Sequence, residues 1–335
     1  MADRNALIAD FIAGSPWAGA IRAVLAGDAS NRRYDRLTEP GTGKTAILMD
    51  APPEKGEDVR PFVRIAEHLS AAGLSAPQII AQDAENGLLI LEDLGDDLFS
   101  RVLRARPDNE PLLYETATDV LVALHQVPAP TLEAYDPPLM TDLACLAFDK
   151  YAALVTGDPA TKARSRFADR FQDILKQTTT GAPPVLVQRD YHADNLLWLP
   201  DRDGVARVGL LDFQDAMLGH PAYDLVSLLQ DVRRDVSPAV EARNITHYIE
   251  QTGCDDHAFR TAYAALGAQR NLRILGVFGR LGHDYGKPQY VDMIPKVWDL
   301  LMADLEHPVL APVADLLRDA LPTPTPDALT GLRAA

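Results

Sequence analysis

Between residues 185 and 213 three short apolar runs, VLV, LLWL and VGLLDF, are separated by the polar stretch QRDYHADN and by the turn sequence PDRDG. Runs this short and this close together read as strands, so the segment is expected as strand, polar loop and hairpin. That order constrains chemistry as well as topology. Asp190 and Asn195 leave the loop directly after the first strand, and Asp212 stands at the far end of the hairpin. A loop of this length can present a carboxylate and an amide towards one point. The hairpin returns a second carboxylate to the same mouth, and hard oxygen donors of this kind suit Mg²⁺. Any one of these residues alone reads as a cap or turn carboxylate in an acidic loop. Three in order on this framework point to a site.

The rest of the chain is organised around that segment. Helices are expected near 5–13 and 17–26, followed by the hairpin YDRLTEPGTGKTAILMD, a helix opened by Pro61, and two strands across an Asn86-Gly87 turn. From about residue 96 the apolar spacing becomes helical. The expectation is an α+β chain with a small antiparallel-sheet lobe at 1–95 and a larger, mostly helical lobe at 96–320. A Pro/Thr-rich tail at 321–335 is expected to fray.

GTGKT, residues 41–45, suggests a P-loop, but the first glycine of that pattern falls on Thr38 and the apolar strand follows the motif instead of preceding it. Lys44 therefore reads as a solvated charge on a hairpin tip. The net charge of −16 argues against nucleic acid or an anionic membrane as partner. Cys145 and Cys254 have no metal spacing, and the N-terminus has no clear secretory pattern, which together suggest a cytoplasmic chain.

The pair DYHADNLL and LLDFQDA, followed by PAYDLVSLL, resembles the aminoglycoside-phosphotransferase family of small-molecule kinases, whose fold is bilobal and protein-kinase-like. DASNRRY, MDAPPE, RPFVRIAEHL and QRNLRILGVFGRL are most similar to the branch that phosphorylates amino sugars at C1 during cell-wall recycling. The resemblance runs from GDASNRRY to about residue 305 and is most specific over 185–230. It implies Mg·ATP as co-substrate, an amino sugar as acceptor, Asp190 as the base that takes the hydroxyl proton, and Asn195 and Asp212 as Mg²⁺ ligands. Spacing alone stops at a metal-dependent phosphotransferase.

The sequence departs from the kinase pattern in three places: Gln188 stands where the catalytic loop often has His, Gln214 follows Asp-Phe where Gly is usual, and the third strand differs. Kinases of this shape carry a phosphate-binding lysine on the third strand, where this chain has Met49 and Asp50. Arg32 and Arg33, with Ser30, are the candidates to hold the triphosphate in its place, because guanidinium forks suit phosphate oxygens. Glu67 stands where the partner glutamate of that lysine is expected. Glu92 and Leu94 would meet the base through their backbone. Asp224 reads as a brace for the catalytic loop, and Arg270, Asn271, Arg273 and Arg280 fall on or near one helix that would face the acceptor. The alternatives are an aminoglycoside or another small alcohol as acceptor, or a nucleotide-binding regulator without turnover.

Overall fold

The structure is a computed structural model that describes residues 4–25 and 31–333. In chain order its first elements are α1 (Arg4–Ala13), β1 (Ile21–Val24), β2 (Arg33–Thr38), β3 (Thr45–Asp50), α2 (Arg60–Ala71), β4 (Ile79–Asp83) and β5 (Leu88–Glu92). There follow α3 (Phe99–Ala105), α4 (Glu110–His125), α5 (Pro137–Ala144), a π-helical turn at Ala147–Ala152, α6 (Ala153–Thr156) and α7 (Thr161–Thr179). Four short strands come next, β6 (Val185–Val187), β7 (Leu196–Trp198), β8 (Val208–Leu210) and β9 (Met217–Gly219). The chain ends in α8 (Ala222–Leu229), α9 (Pro238–Thr252), α10 (Asp256–Tyr285), α11 (Pro288–Val291), α12 (Ile294–Asp304), α13 (Ala311–Ala320) and α14 (Pro326–Thr330). The elements fall into two compact units, residues 1–127 with 193–216, and residues 128–192 with 217–335.

The first unit is built on a five-stranded antiparallel sheet in the order β1-β2-β3-β5-β4. Period-two alternation puts Leu37, Ala46, Leu48, Leu88 and Ile90 on one face, where they form a core with Ile8 of α1. Asp50 lies on that same face, and Arg4 of α1 donates to its carboxylate through Nε at 3.0 Å. The helix expected at 17–26 is absent. Ile21–Val24 pairs with β2 as an edge strand with Ile21 and Val24 exposed, so backbone pairing along the sheet edge outweighs the helical spacing of Trp17, Ile21 and Val24 in so short a segment.

α2 starts as expected, with Pro in its first turn, and buries Phe62, Ile65, Ala66 and Leu69. At the turn into β5, Gly87 has φ +66 and its N-terminal neighbour strand lies so close that an added Cβ would come within 2.0 Å of the Ala51 carbonyl oxygen. The β7–β8 hairpin belongs to this unit too. Leu210 N–H donates to Ser75 O at 2.9 Å, and Trp198 N–H to Asp97 O at 2.7 Å. These bonds tie the segment before β4 and the chain just after β5 to the hairpin, so the hairpin groups with the sheet in one unit.

The second unit is helical around α10, a 30-residue helix started by the Asp255 side chain, which accepts Ala258 N–H. Gly276 lets α10 approach the backbone of Leu146, where a Cβ would sit 2.4 Å away. The small β6–β9 pair completes this unit. The tail expected to fray instead forms α14 and buries Leu329 and Leu332, while the Tyr151 hydroxyl donates to Pro322 O at 2.7 Å. Apolar burial at residues 321, 329 and 332 outweighs the Pro/Thr-rich composition. Among the described residues no helix is long and apolar enough to cross a membrane.

Candidate active site

The loop from Gln188 to Asn195 joins β6 to β7, as its polar composition predicts. In the second unit, Asp224 in the first turn of α8 fastens the start of this loop. Its two carboxylate oxygens accept Gln188 N–H at 2.6 Å and Arg189 N–H at 2.9 Å. The Ser227 hydroxyl donates to Arg189 O at 3.3 Å, and the Arg189 guanidinium lies 5.4 Å from the Tyr135 ring centre. Arg189 itself has φ +73, a left-handed conformation that a side chain other than glycine adopts only when its surroundings hold it there. Asp224 is fully buried, and burial pushes its carboxyl up to about 7; the two N–H bonds pull it down and the Asp190 charge pushes it further up.

Asp190 follows in the same unit, among cations and phenols. Its charge acts on the buried guanidinium groups of Arg270 and Arg273 of α10. Arg270 donates to Gln230 O at 3.2 Å, and Arg273 to the Tyr223 hydroxyl at 3.4 Å. Tyr223 and Tyr135 share a hydroxyl contact of 3.2 Å, and Tyr135 donates to Gln269 Oε1 at 3.3 Å. His192 is buried, and burial, then the charges of Arg233 and Arg270, hold its imidazole well below its ordinary pKa. A neutral imidazole on this loop fits packing, and no cluster of three or more His, Cys, Asp or Glu arranged for a metal occurs among the described residues.

The end of the loop and the hairpin, in the first unit, bring Asn195 and Asp212 together. Asn195 Nδ2 donates to Asp212 Oδ2 at 3.4 Å, and Leu211 N–H to Asn195 O at 3.0 Å. Gln214, which stands where protein kinases have glycine, donates from Nε2 to Asp212 Oδ1 at 2.7 Å. Asp212 has φ +58, so two of the three non-glycine residues with positive φ among those described, Arg189 and Asp212, fall in the two predicted site segments. Phe213 is fully buried and stacks on Phe62 of α2 with ring centres 4.8 Å apart. Asp215 is exposed.

The expected nucleotide residues are placed less uniformly. Ser30 lies outside the described residues. Arg32 donates from Nε to Glu57 Oε2 at 2.8 Å, and Arg33 to Asp35 Oδ1 at 3.1 Å. Glu67 does not meet either arginine. It is exposed, on the flank of α2 opposite the buried Phe62, Ile65 and Leu69, because the helical period that buries those residues turns position 67 outward. Glu92 accepts from Arg202 at 2.6 Å, while its N–H donates to Gln78 O, and Leu94 is buried. Asp50 faces the α1 side of the sheet, so strand alternation sends Met49 to the opposite face. Lys44 is exposed on the β2–β3 hairpin, as its turn sequence requires.

Three contributors were not assigned from sequence. Gln214 was visible only as a departure from a familiar tripeptide. Arg36 of β2 pairs with Asp93 at 2.7 Å and Asp96 at 2.9 Å, fastening the connector after β5 to the sheet; the acidic spacing of EDLGDD was its only signal. Arg4 left no signal, since its partner Asp50 is 46 residues away.

Residues 22–263 match the profile of the phosphotransferase enzyme family, APH. An N-acetylmuramate/N-acetylglucosamine kinase of Caulobacter vibrioides is 39% identical over 92% of this chain and 94% of its own length. An enzyme of the same name from Pseudomonas aeruginosa is 36% identical over 87% of this chain and 86% of its own. The solved GDP complex of wild-type aminoglycoside 2'-phosphotransferase-IIIa superposes with a TM-score of 0.60 at 15% identity, covering 90% of this chain and 98% of that one, a likeness of fold. The antiparallel sheet, the mostly helical remainder and these relatives agree: the chain belongs to the phosphotransferase enzyme family, with the kinase fold of the aminoglycoside phosphotransferases.

Proposed function

We propose that this phosphotransferase moves the γ-phosphate of ATP to the anomeric hydroxyl of N-acetylglucosamine and N-acetylmuramate in the cytoplasm, with Mg²⁺. The observation that carries the reading is the meeting of Asn195 with Asp212, on the same short loop-and-hairpin segment as Asp190. In this reading Asp190 orients the acceptor hydroxyl and takes its proton. Asp224 acts through the backbone of Gln188 and Arg189 to hold that loop. The sheet-bearing unit is assigned to the nucleotide, with Arg32 and Arg33 on the phosphates and the backbone of Glu92 and Leu94 on the base. The helical unit is assigned to the acceptor.

The donor set fits Mg²⁺. A carboxylate and an amide oxygen are hard ligands, and the side-chain amides of Asn195 and Gln214 steady Asp212 without cancelling its charge. Bound there, Mg²⁺ would draw charge away from the phosphates. The residues then act chiefly by positioning and charge neutralisation.

Incubation with Mg·ATP and each sugar, followed by mass analysis, tests this. The expected product is one phosphate heavier and loses it in dilute acid, as a C1 phosphate does. Phosphate on an aminoglycoside alone would move the acceptor assignment. A melting shift with Mg·ATP and no product from any acceptor would favour a nucleotide-binding regulator.

A further inference from the structure

The second unit contains a cavity of about 270 Å³ where the C-terminal end of α8 meets α9 and α12. Ligand pockets usually run on the order of 300–1,000 Å³, so this one suits a single sugar ring better than a larger ligand. Gln230, Asp231, Glu241 and Asp299 form its polar wall, Leu229, Val236 and Leu300 give it an apolar patch, and Asp235 and Lys296 complete its lining.

The wall is held in place from behind. The Gln230 side chain donates to Asp304 Oδ1 at 2.8 Å and accepts from Asn271 Nδ2 at 2.9 Å, and the Tyr263 hydroxyl donates to Glu241 at 2.8 Å. Asn271 is fully buried and its Oδ1 has no hydrogen-bond partner. Arg270 ties this wall to the catalytic loop: it donates to Gln230 O, and its guanidinium lies in the field of both Asp231 and Asp190.

Lys296 is the one basic side chain lining the cavity. Its Nζ lies 2.6 Å from Asp235 Oδ1, with the lysine side chain 28% exposed and the aspartate 98% exposed. A pair with one partner almost wholly in water is weak, and exchanging that partner for a ligand carboxylate costs little. The remaining lining carboxylates suit hydroxyl groups and disfavour an anion, so an acidic acceptor needs this exchange and a neutral one does not.

Resting on the function proposed above, we propose that the cavity is the sugar subsite and that Lys296 is the residue that admits the acidic acceptor. It releases Asp235 and pairs with the lactyl carboxylate of N-acetylmuramate, while N-acetylglucosamine binds without engaging it. The charge exchange makes the enzyme dual in its acceptor.

The test is a set of steady-state measurements with both sugars on wild type, Lys296→Met, Lys296→Arg and Asp235→Asn. Lys296→Met is expected to raise KM for N-acetylmuramate about ten-fold and to leave KM for N-acetylglucosamine within about two-fold. Lys296→Arg should restore most of the loss, since it keeps the charge. Asp235→Asn, at an exposed position that leaves folding intact, should lower KM for N-acetylmuramate alone by freeing the lysine. Equal effects on both sugars, or none on either, overturn the proposal and leave the kinase assignment standing. Failure of the wild type to phosphorylate either sugar removes the function reading and this proposal with it.

Discussion

The carboxylate of Asp224 holds the backbone N–H of Arg189 at 2.9 Å, and Arg189 is a residue in a left-handed conformation immediately before Asp190. A buried side chain on one helix thus fixes the backbone geometry from which the proposed base projects. Asp224→Ala would leave the N–H groups of buried Gln188 and half-buried Arg189 without their acceptor at once. The expected cost is about 2–5 kcal/mol of stability, with a fall in kcat larger than any change in KM. Urea unfolding and steady-state kinetics read the two effects separately, and a variant with unaltered kcat would remove the bracing role.

Asp190→Asn keeps the shape of the side chain and removes its basicity. Turnover should fall by about 10²–10⁴-fold. The Mg·ATP-induced rise in melting temperature should survive, because nucleotide binding does not need the base. Retained turnover would exclude Asp190 as the group that takes the proton.

Asp212→Asn should change the metal requirement before anything else. The Mg²⁺ concentration giving half-maximal rate is expected to rise at least about ten-fold, and the variant should regain part of its rate at high Mg²⁺. An unchanged Mg²⁺ titration would count against Asp212 as a ligand.

Asp304 supplies a pH test that is independent of catalysis. Burial pushes its carboxyl from 3.8 up to about 7, while hydrogen bonds from Gln230 and Asn271 pull the other way. The folded chain therefore keeps a proton that the unfolded chain has already released. Stability from this group is fully present below about pH 4 and is lost as pH rises towards 7. Asp304→Asn removes that titration. The advantage of wild type over the variant should shrink between pH 4 and 7.5, by on the order of a few kcal/mol. Melting curves across that range decide it, and an advantage that grows with pH contradicts the burial argument.

Gly87→Ala tests the turn into β5. The positive φ alone costs about 1–3 kcal/mol for alanine. The approach of Ala51 O, at 2.0 Å from the added Cβ, adds a clash with backbone. A drop in the denaturation midpoint with unchanged KM for the acceptor is expected.

Much of the fold was legible because its signals are local. The Pro61 helix, the strands flanking Asn86-Gly87 and the strand–loop–hairpin at 185–213 each carry their own period and turn residues. Edge strand β1 was misread because four residues give no usable period and its partner strand begins nine residues after it ends. The ordered tail was missed for a related reason. Its burial depends on surfaces supplied by α6 and α10, which no window of the tail itself contains.

The order Asp190, Asn195, Asp212 on a strand, a loop and a hairpin is written in the sequence, because short-range turn chemistry and apolar alternation suffice to set it. What stands around those residues was decided by tertiary contacts. Packing turned Glu67 to solvent, gave Arg32 to Glu57 and Asp50 to Arg4, and brought Gln230, Asn271 and Asp304 into one buried network. Hydrogen bonds and ion pairs between residues 25 to 74 positions apart depend on how helices and strands stack, and a linear pattern does not record that.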